Sequence, residues 1–283
     1  MIRFSWGGLQ LTVLDGGTLW LDGGAMFGVV PRPMWEKLRQ PDERHRIRLA
    51  MNLLLIEDGK QCTLVDTGAG TKSDDRFRDI YRLEPRSAEE ILKPAGLRPA
   101  QIDRVINTHL HFDHAGGNTV RDEAGGLHPA FPNAEYVVQR GELETARWDN
   151  DRTRASFAPD DFEPLAREEG RLRLVEGDVE ISRGILLRVA RGHTPFMQLV
   201  LLHGTEGTVA FMADLVPTAS HVRYPYIMAY DLEPLETLAT KRRLLPQAAS
   251  EGWRLILEHD HEMPLARLEE QQGRLAARAV EAN

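Results

Sequence analysis

The 283-residue chain contains one cysteine, Cys62. A single thiol excludes an internal disulfide framework and leaves no thiolate cluster for a metal. Its setting in QCTLVDTG suits a packed strand residue better than a nucleophile. No uninterrupted apolar run is long enough to cross a bilayer. The opening MIRFSWGGLQ lacks the basic-then-apolar pattern of a secretory leader, so a cytoplasmic location is the expectation. Positive charge is not in excess either. The 35 Lys and Arg against 43 Asp and Glu leave a formal charge of -8, which argues against a polyanionic partner. Low-complexity tracts and long Gly/Ser linkers are missing as well. What is present is ordinary for a folded protein, 42% apolar and 28% charged residues, enough to bury a substantial core without staples.

Strand-like runs recur at 9–17, 18–24, 47–57 and 62–68, several of them ending in Asp-Gly or other Gly-containing turns. SAEEILKPAG (87–96) predicts a helix with Ser87 as N-cap and Glu90 at the capping-box position. A short buried strand at Val105 and Ile106 then runs into a histidine-rich segment. Further strands are expected at 171–177, 180–192, 198–204, 208–216 and 252–260. The periodicity of 234–250 predicts a helix that Pro246 ends or kinks, and 264–282 is expected as a C-terminal helix. The charged stretch 147–170 reads as a surface insertion, a solvated connection in preference to the wall of a substrate entrance. Two β-rich halves with helices suggest two packed sheets covered by helices.

THLHFDHAGG (108–117) crowds three histidines and an aspartate into six positions. Imidazole and carboxylate are common ligands for borderline transition metals; a solvated polar loop is the bland alternative. In an extended segment residues i and i+2 point to the same side, so His109 and His111 can grip one ion. Asp113 and His114 follow as the chain turns toward a helix and can face a second point nearby. Gly116 and Gly117 let the backbone make that turn closely. Three further candidates stand where strands end: His193 in RGHTP, Asp214 in FMADL and His259 in LEHD. Singly, each has a structural role open to it, as a turn cap or an exposed strand end. Together with the cluster they complete two coordination spheres.

THLHFDHAGG, then GHT, then the strand-terminal AD, then EHD resemble the metallo-β-lactamase fold superfamily in order and spacing over nearly the whole chain. Within it, DGGAMFGVVPRPMW (22–35), ADLVPTASHV (213–222) and EHD (258–260) look most like the quorum-quenching lactonase and organophosphate-hydrolase-like branch. The resemblance implies an α/β fold, a four-layer αβ/βα sandwich of two mixed sheets flanked by helices. It also implies a single domain over 1–283 with pseudo-two-fold halves and metals at one edge between the sheets. It puts His109, His111 and His193 on one ion, and Asp113, His114 and His259 on the other, with Asp214 bridging. His261 competes for the place of His259, which is preferred because it directly follows the apolar strand. Asp66, in VDTG, is the implied carboxylate that orients a ligand histidine; holding the Thr67-Gly68 turn is its plainer role.

Without thiolates the donor set suits two zinc ions, and also manganese, iron or cobalt. The implied activity is dinuclear metal-dependent hydrolysis, foremost the opening of N-acyl homoserine lactones by a metal-bridging hydroxide. Asp113 would then pass a proton to the leaving alkoxide. Some lactonases of the superfamily carry a tyrosine three residues after the bridging aspartate. That position is Pro217 here, and Tyr224, Tyr226 and Tyr230 lie further on. Phe27 is expected to wall an acyl pocket, with Met26 beside it and His221 within reach, while Met34 and Trp35 read as core or a subunit contact. A homodimer through the N-terminal segment is implied by resemblance alone, with a small-molecule lactone or ester as substrate and no nucleic-acid or membrane partner. The alternatives are aryl phosphotriester or arylester hydrolysis at the same site, a glyoxalase-II-like thioesterase, and a non-catalytic binding protein. No C-terminal basic cluster favours the thioesterase, and no missing ligand favours the binding protein.

Overall fold

Alternation along each strand decides what each face of the two sheets buries. In the strand Arg46–Glu57, Leu54 and Ile56 point inward to the core between the sheets, whereas Leu53 and Leu55 pack outward with Ile91, Leu92 and Tyr136. The computed structural model describes residues 1–281. Its first sheet runs, in spatial order, Ile2–Trp6, Leu9–Asp22, Arg46–Glu57, Cys62–Val65, Arg104–Ile106, Glu135–Gln139 and Leu172–Val175, with Glu84–Pro85 paired on the second of these. The second sheet runs Val179–Ser182, Ile185–Val189, Gln198–Gly204, Gly207–Phe211, Arg254–Ile256, Leu265–Gln271 and Arg274–Ala279. Both sheets are mixed, and one apolar cluster joins their inner faces, from Leu11, Val65 and Ile106 on one side to Leu199, Phe211 and Leu255 on the other. This is the expected α/β sandwich. No helix of the described residues is long and apolar enough to cross a membrane.

Each sheet contains parallel neighbours that end at the same edge. Cys62–Val65 pairs in parallel with Arg104–Ile106, and Gly207–Phe211 with Arg254–Ile256. In open α/β sheets, ligands gather beyond the carboxyl ends of such strands. Asp66, the histidine-rich segment, Asp214 and His259 all emerge there.

The structure departs from the expected elements in several places. The runs 9–17 and 18–24 form one strand, Leu9–Asp22, with a register shift between Asp15 and Thr18. The expected C-terminal helix is a β-hairpin: Leu265–Gln271 pairs antiparallel with Arg274–Ala279 through Gln272 and Gly273, at φ 51 and 72. Two successive positive φ values make the tight turn that matches strand twist, and the sheet edge overrides the helix propensity of this Ala-, Leu- and Arg-rich stretch. Residue 282 of that expectation lies outside the described residues. The expected strand 180–192 is an antiparallel pair, Val179–Ser182 and Ile185–Val189, turned at Gly184 with φ 79, and the stretch 147–170 departs as well. Asp161 forms a buried ion pair with Lys72 at 3.0 Å, and Phe157 and Phe162 are buried. Ser156 O accepts from Phe112 N at 2.9 Å, so the insertion is packed onto the histidine segment and is no mere solvated connection.

The helix Pro234–Ser250 runs through Pro246 without ending. Its Lys241 is buried and donates to Arg223 O and Tyr226 O, both at 2.9 Å. Burial lowers this ammonium from 10.5 to about 7. Between those values the unfolded chain keeps a proton that the folded chain has released, so folding gains stability as pH rises. Urea unfolding should therefore show about 2 kcal/mol more stability at pH 9 than at pH 7 from this group. Lys241→Met should lose that increment, and an identical pH slope in the variant would refute the assignment.

Candidate metal centre

The strand Arg104–Ile106 ends at Asn107, and the next eight residues carry four of the expected ligands. Thr108 fixes the exit. Its N–H and Oγ1 donate to the Asp66 carboxylate at 2.7 and 2.6 Å, and its carbonyl accepts from Gln198 N at 2.9 Å, which ties the two sheets together. His109 and His111 lie on this extended segment, and the single turn Phe112–Ala115 then presents Asp113 and His114. Gly116 and Gly117 are required by close approach, not by unusual φ. A Cβ on Gly116 would lie 2.3 Å from Ala69 O, and one on Gly117 would lie 2.2 Å from Thr67 O. The turn thereby seats against the loop that follows Asp66.

All seven expected ligands converge. His111 Nδ1 lies 3.1 Å from His109 Nε2 and 3.0 Å from His193 Nε2. His259 Nε2 lies 3.2 Å from His114 Nε2 and 3.7 Å from Asp113 Oδ2. Asp214 stands between the two groups, with Oδ2 3.2 Å from His193 Nε2 and Oδ1 3.0 Å from His259 Nε2. Ligand atoms about 2.0–2.1 Å from a tetrahedral zinc are about 3.3 Å apart, so these separations fit shared ions. His261 stays outside, part-exposed and 3.8 Å from Glu262.

The reverse sides of the rings decide which nitrogen faces inward. His193 Nδ1 donates to Asp231 Oδ1 at 3.0 Å, His259 Nδ1 to Ala50 O at 2.7 Å, and His114 Nδ1 to Asp66 Oδ2 at 3.1 Å. Each bond fixes the tautomer and turns a bare Nε2 toward the centre. Asp66 and Ala213, beside the cluster, hold φ of 55 and 42, backbone strain of the kind that functional sites retain. Burial, reinforced by the neighbouring imidazoles, holds His109 and His111 well below the usual histidine range, which keeps them neutral as a ligand must be. Burial opposes ionisation of Asp214, yet His259 and His193 hold its carboxyl well below the usual range. Asp214 Oδ1 is buried without a hydrogen-bond partner. An anionic oxygen without a hydrogen-bond partner, set among imidazole Nε2 atoms, is a donor set that a divalent cation satisfies.

Three buried carboxylates carried no expected role. Asp231 supports His193 and also accepts from Thr237 Oγ1 at 2.7 Å. Glu142 accepts from Leu110 N and Thr194 Oγ1 and so braces two ligand loops, while burial pushes its carboxyl up to about 7. Glu258 brings Oε2 within 3.1 Å of His114 Nδ1, and burial raises it to about 8. Only Glu258, inside the EHD motif, left a trace in the sequence; the other two meet their partners through tertiary packing.

The cleft above the cluster encloses about 50 Å³ and is walled by Leu21, Met26, Tyr81, Phe112, Met228 and Tyr230. Tyr230 thus stands near the cluster, while Tyr224 and Tyr226 do not line the cleft. Phe27 and His221 do not line it either, contrary to expectation. Phe27 is wholly buried, stacked on Trp35 at 5.5 Å and on His221 at 5.0 Å. His221 is held from behind, its Nε2 donating to Met26 O at 2.8 Å. Their short-range neighbour Met26 supplies the wall instead.

The model of the metallo-beta-lactamase superfamily matches residues 48–259. The chain is similar to an N-acyl homoserine lactonase of Bacillus cereus, 30% identical over 159 residues, which are 52% of this chain and 56% of that protein. The alignment therefore spans little more than half of that relative. A similar lactonase of Bacillus thuringiensis is 27% identical over 220 residues, 74% of this chain and 80% of that one. Among solved structures, a probable metal-dependent hydrolase of Staphylococcus aureus superposes with a TM-score of 0.89 at 27% identity, over 99% of each chain.

Proposed function

The chain belongs to the metallo-beta-lactamase superfamily, and from that premise we propose that it is a dinuclear metal-dependent hydrolase that opens N-acyl homoserine lactones. The observation that carries the proposal is the convergence of seven buried ligand groups on two adjacent points with Asp214 between them. Similarity to N-acyl homoserine lactonases supports the substrate class.

In this reading His109, His111 and His193 hold one ion, Asp113, His114 and His259 hold the other, and Asp214 bridges. Nitrogen and oxygen donors without thiolate suit zinc, and equally manganese, iron or cobalt. When bound, such ions polarise the carbonyl under attack and make water nucleophilic near neutral pH. The chain's own groups do the rest. Asp66, Asp231 and the Ala50 carbonyl hold the ligand rings in register. The attack on the lactone carbonyl breaks the ring C–O bond, and Asp113, at the cleft wall, passes a proton from the attacking water to the leaving alkoxide oxygen. Burial raises the Tyr230 phenol, so its O–H stays protonated as a donor to a substrate oxygen, the part that Pro217 cannot play. Leu21, Met26 and Met228 give the acyl chain an apolar wall, and the pliable methionines suit a cleft this narrow.

Ring opening generates an acid, so proton release from metal-loaded protein tests the proposal directly. Chelator-sensitive hydrolysis across a graded series of acyl homoserine lactones is the expected result. Two bound ions with silence across the series would remove lactones as the substrate class.

A further inference from the structure

A second cavity, about 760 Å³, opens away from the metal centre, between the 222–226 segment, the end of the helix Pro234–Ser250 and the C-terminal hairpin. Its size lies within the range of small-molecule sites, roughly 300–1,000 Å³. Val222, Tyr226, Leu268 and Leu275 give it an apolar floor. The helix contributes Pro246, Ala249 and Ser250, which share one face with Arg242 at spacings of four, seven and eight residues. Pro246 is the proline that does not end its helix. Having no N–H, it cannot donate to the carbonyl of Arg242 one turn back.

The charge at this groove runs against that of the whole chain. Arg223 and Arg274 line it, and Arg242 stands over the Tyr224 ring at 6.0 Å, against one lining carboxylate, Glu270. Nearby Arg267 and Arg278 are engaged by Glu269. Among the described residues, Arg223, Arg242 and Arg274 form no ion pair; Arg223 donates to Tyr226 Oη at 3.0 Å and lies over that ring at 5.2 Å. Three unpaired guanidiniums around an apolar trough, on a protein of formal charge -8, match a ligand with an anionic head and an apolar body.

We propose that this groove binds an anionic amphiphile, its single tail lying on Leu268, Leu275 and Ala249 and its head drawn to Arg223 and Arg274. The site is separate from the metal centre and does not depend on what that centre hydrolyses.

The test is calorimetric titration of the metal-loaded full chain with dodecanoate below its micellar concentration, and with dodecyltrimethylammonium as the opposite-charge control. The expected result is saturable one-to-one binding of dodecanoate and none of the cation. Ala249→Trp, which fills the trough, and Arg274→Glu, at the exposed hairpin turn, should each raise Kd at least about tenfold while leaving the melting temperature nearly unchanged. Absence of saturable binding would overturn the proposal, as would equal binding of the cation. So would an unchanged Kd in both variants, since the amphiphile would then sit elsewhere. A chain that doubles in mass with concentration, and that Ala249→Trp returns to a monomer, would show that a second copy covers the groove.

Discussion

Replacing Asp214 by asparagine is expected to lower kcat/KM by about three orders of magnitude while the chain stays folded. Asparagine keeps the shape but substitutes an amide N–H₂ for one carboxylate oxygen. That oxygen pair faces His193 Nε2 at 3.2 Å and His259 Nε2 at 3.0 Å, so the amide would point donors at the place proposed for a cation. The loss of one shared anionic ligand removes part of a Lewis-acid contribution worth several kcal/mol, and about 4 kcal/mol corresponds to that thousandfold. Paired measurement of rate and metal content by mass spectrometry checks it. Full activity with two ions retained in Asp214→Asn would mean that the bridge is assigned to the wrong residue.

Stripping the protein with a chelator carries the second large effect. It should abolish hydrolysis and lower the melting temperature by about 10 °C, both reversed by added zinc. The cluster buries imidazoles beside carboxylates, and one carboxylate oxygen has no hydrogen-bond partner. Such a set is costly to fold unless a cation compensates it. An ion that binds only the folded state adds about 4 kcal/mol at a free concentration a thousandfold above its Kd. For chains of this size each kcal/mol moves the transition by roughly 2–4 °C. Scanning calorimetry of stripped and reloaded protein reads the difference, and coincident transitions would show that the cluster holds no tightly bound ion.

How far the sequence reached follows from the range of the forces involved. The α/β sandwich and the capping box of Ser87 and Glu90 are written in local patterns, and the structure has both. The seven candidate ligands were legible because each sits at a strand end inside a short motif, and the fold brings them together. Phe27 was misplaced because an apolar residue beside a glycine says nothing about which way it faces; three aromatic contacts turn it inward. Asp231 and Glu142 were invisible for the same reason, since they act on His193 and Thr194 across gaps of 38 and 52 residues. The C-terminal hairpin shows the converse. Its Ala-, Leu- and Arg-rich residues point to a helix, which is wrong here because an open sheet edge overrules local propensity.

The central claim is that this cluster is a two-ion hydrolytic centre, and titrating stripped protein with zinc while following hydrolysis of an acyl homoserine lactone tests it most directly. The account predicts activity that rises with added metal and levels off at two equivalents, with the same endpoint in the bound-metal count. Hydrolysis that is already complete in the stripped protein, or a plateau with no more than one ion bound, would contradict it.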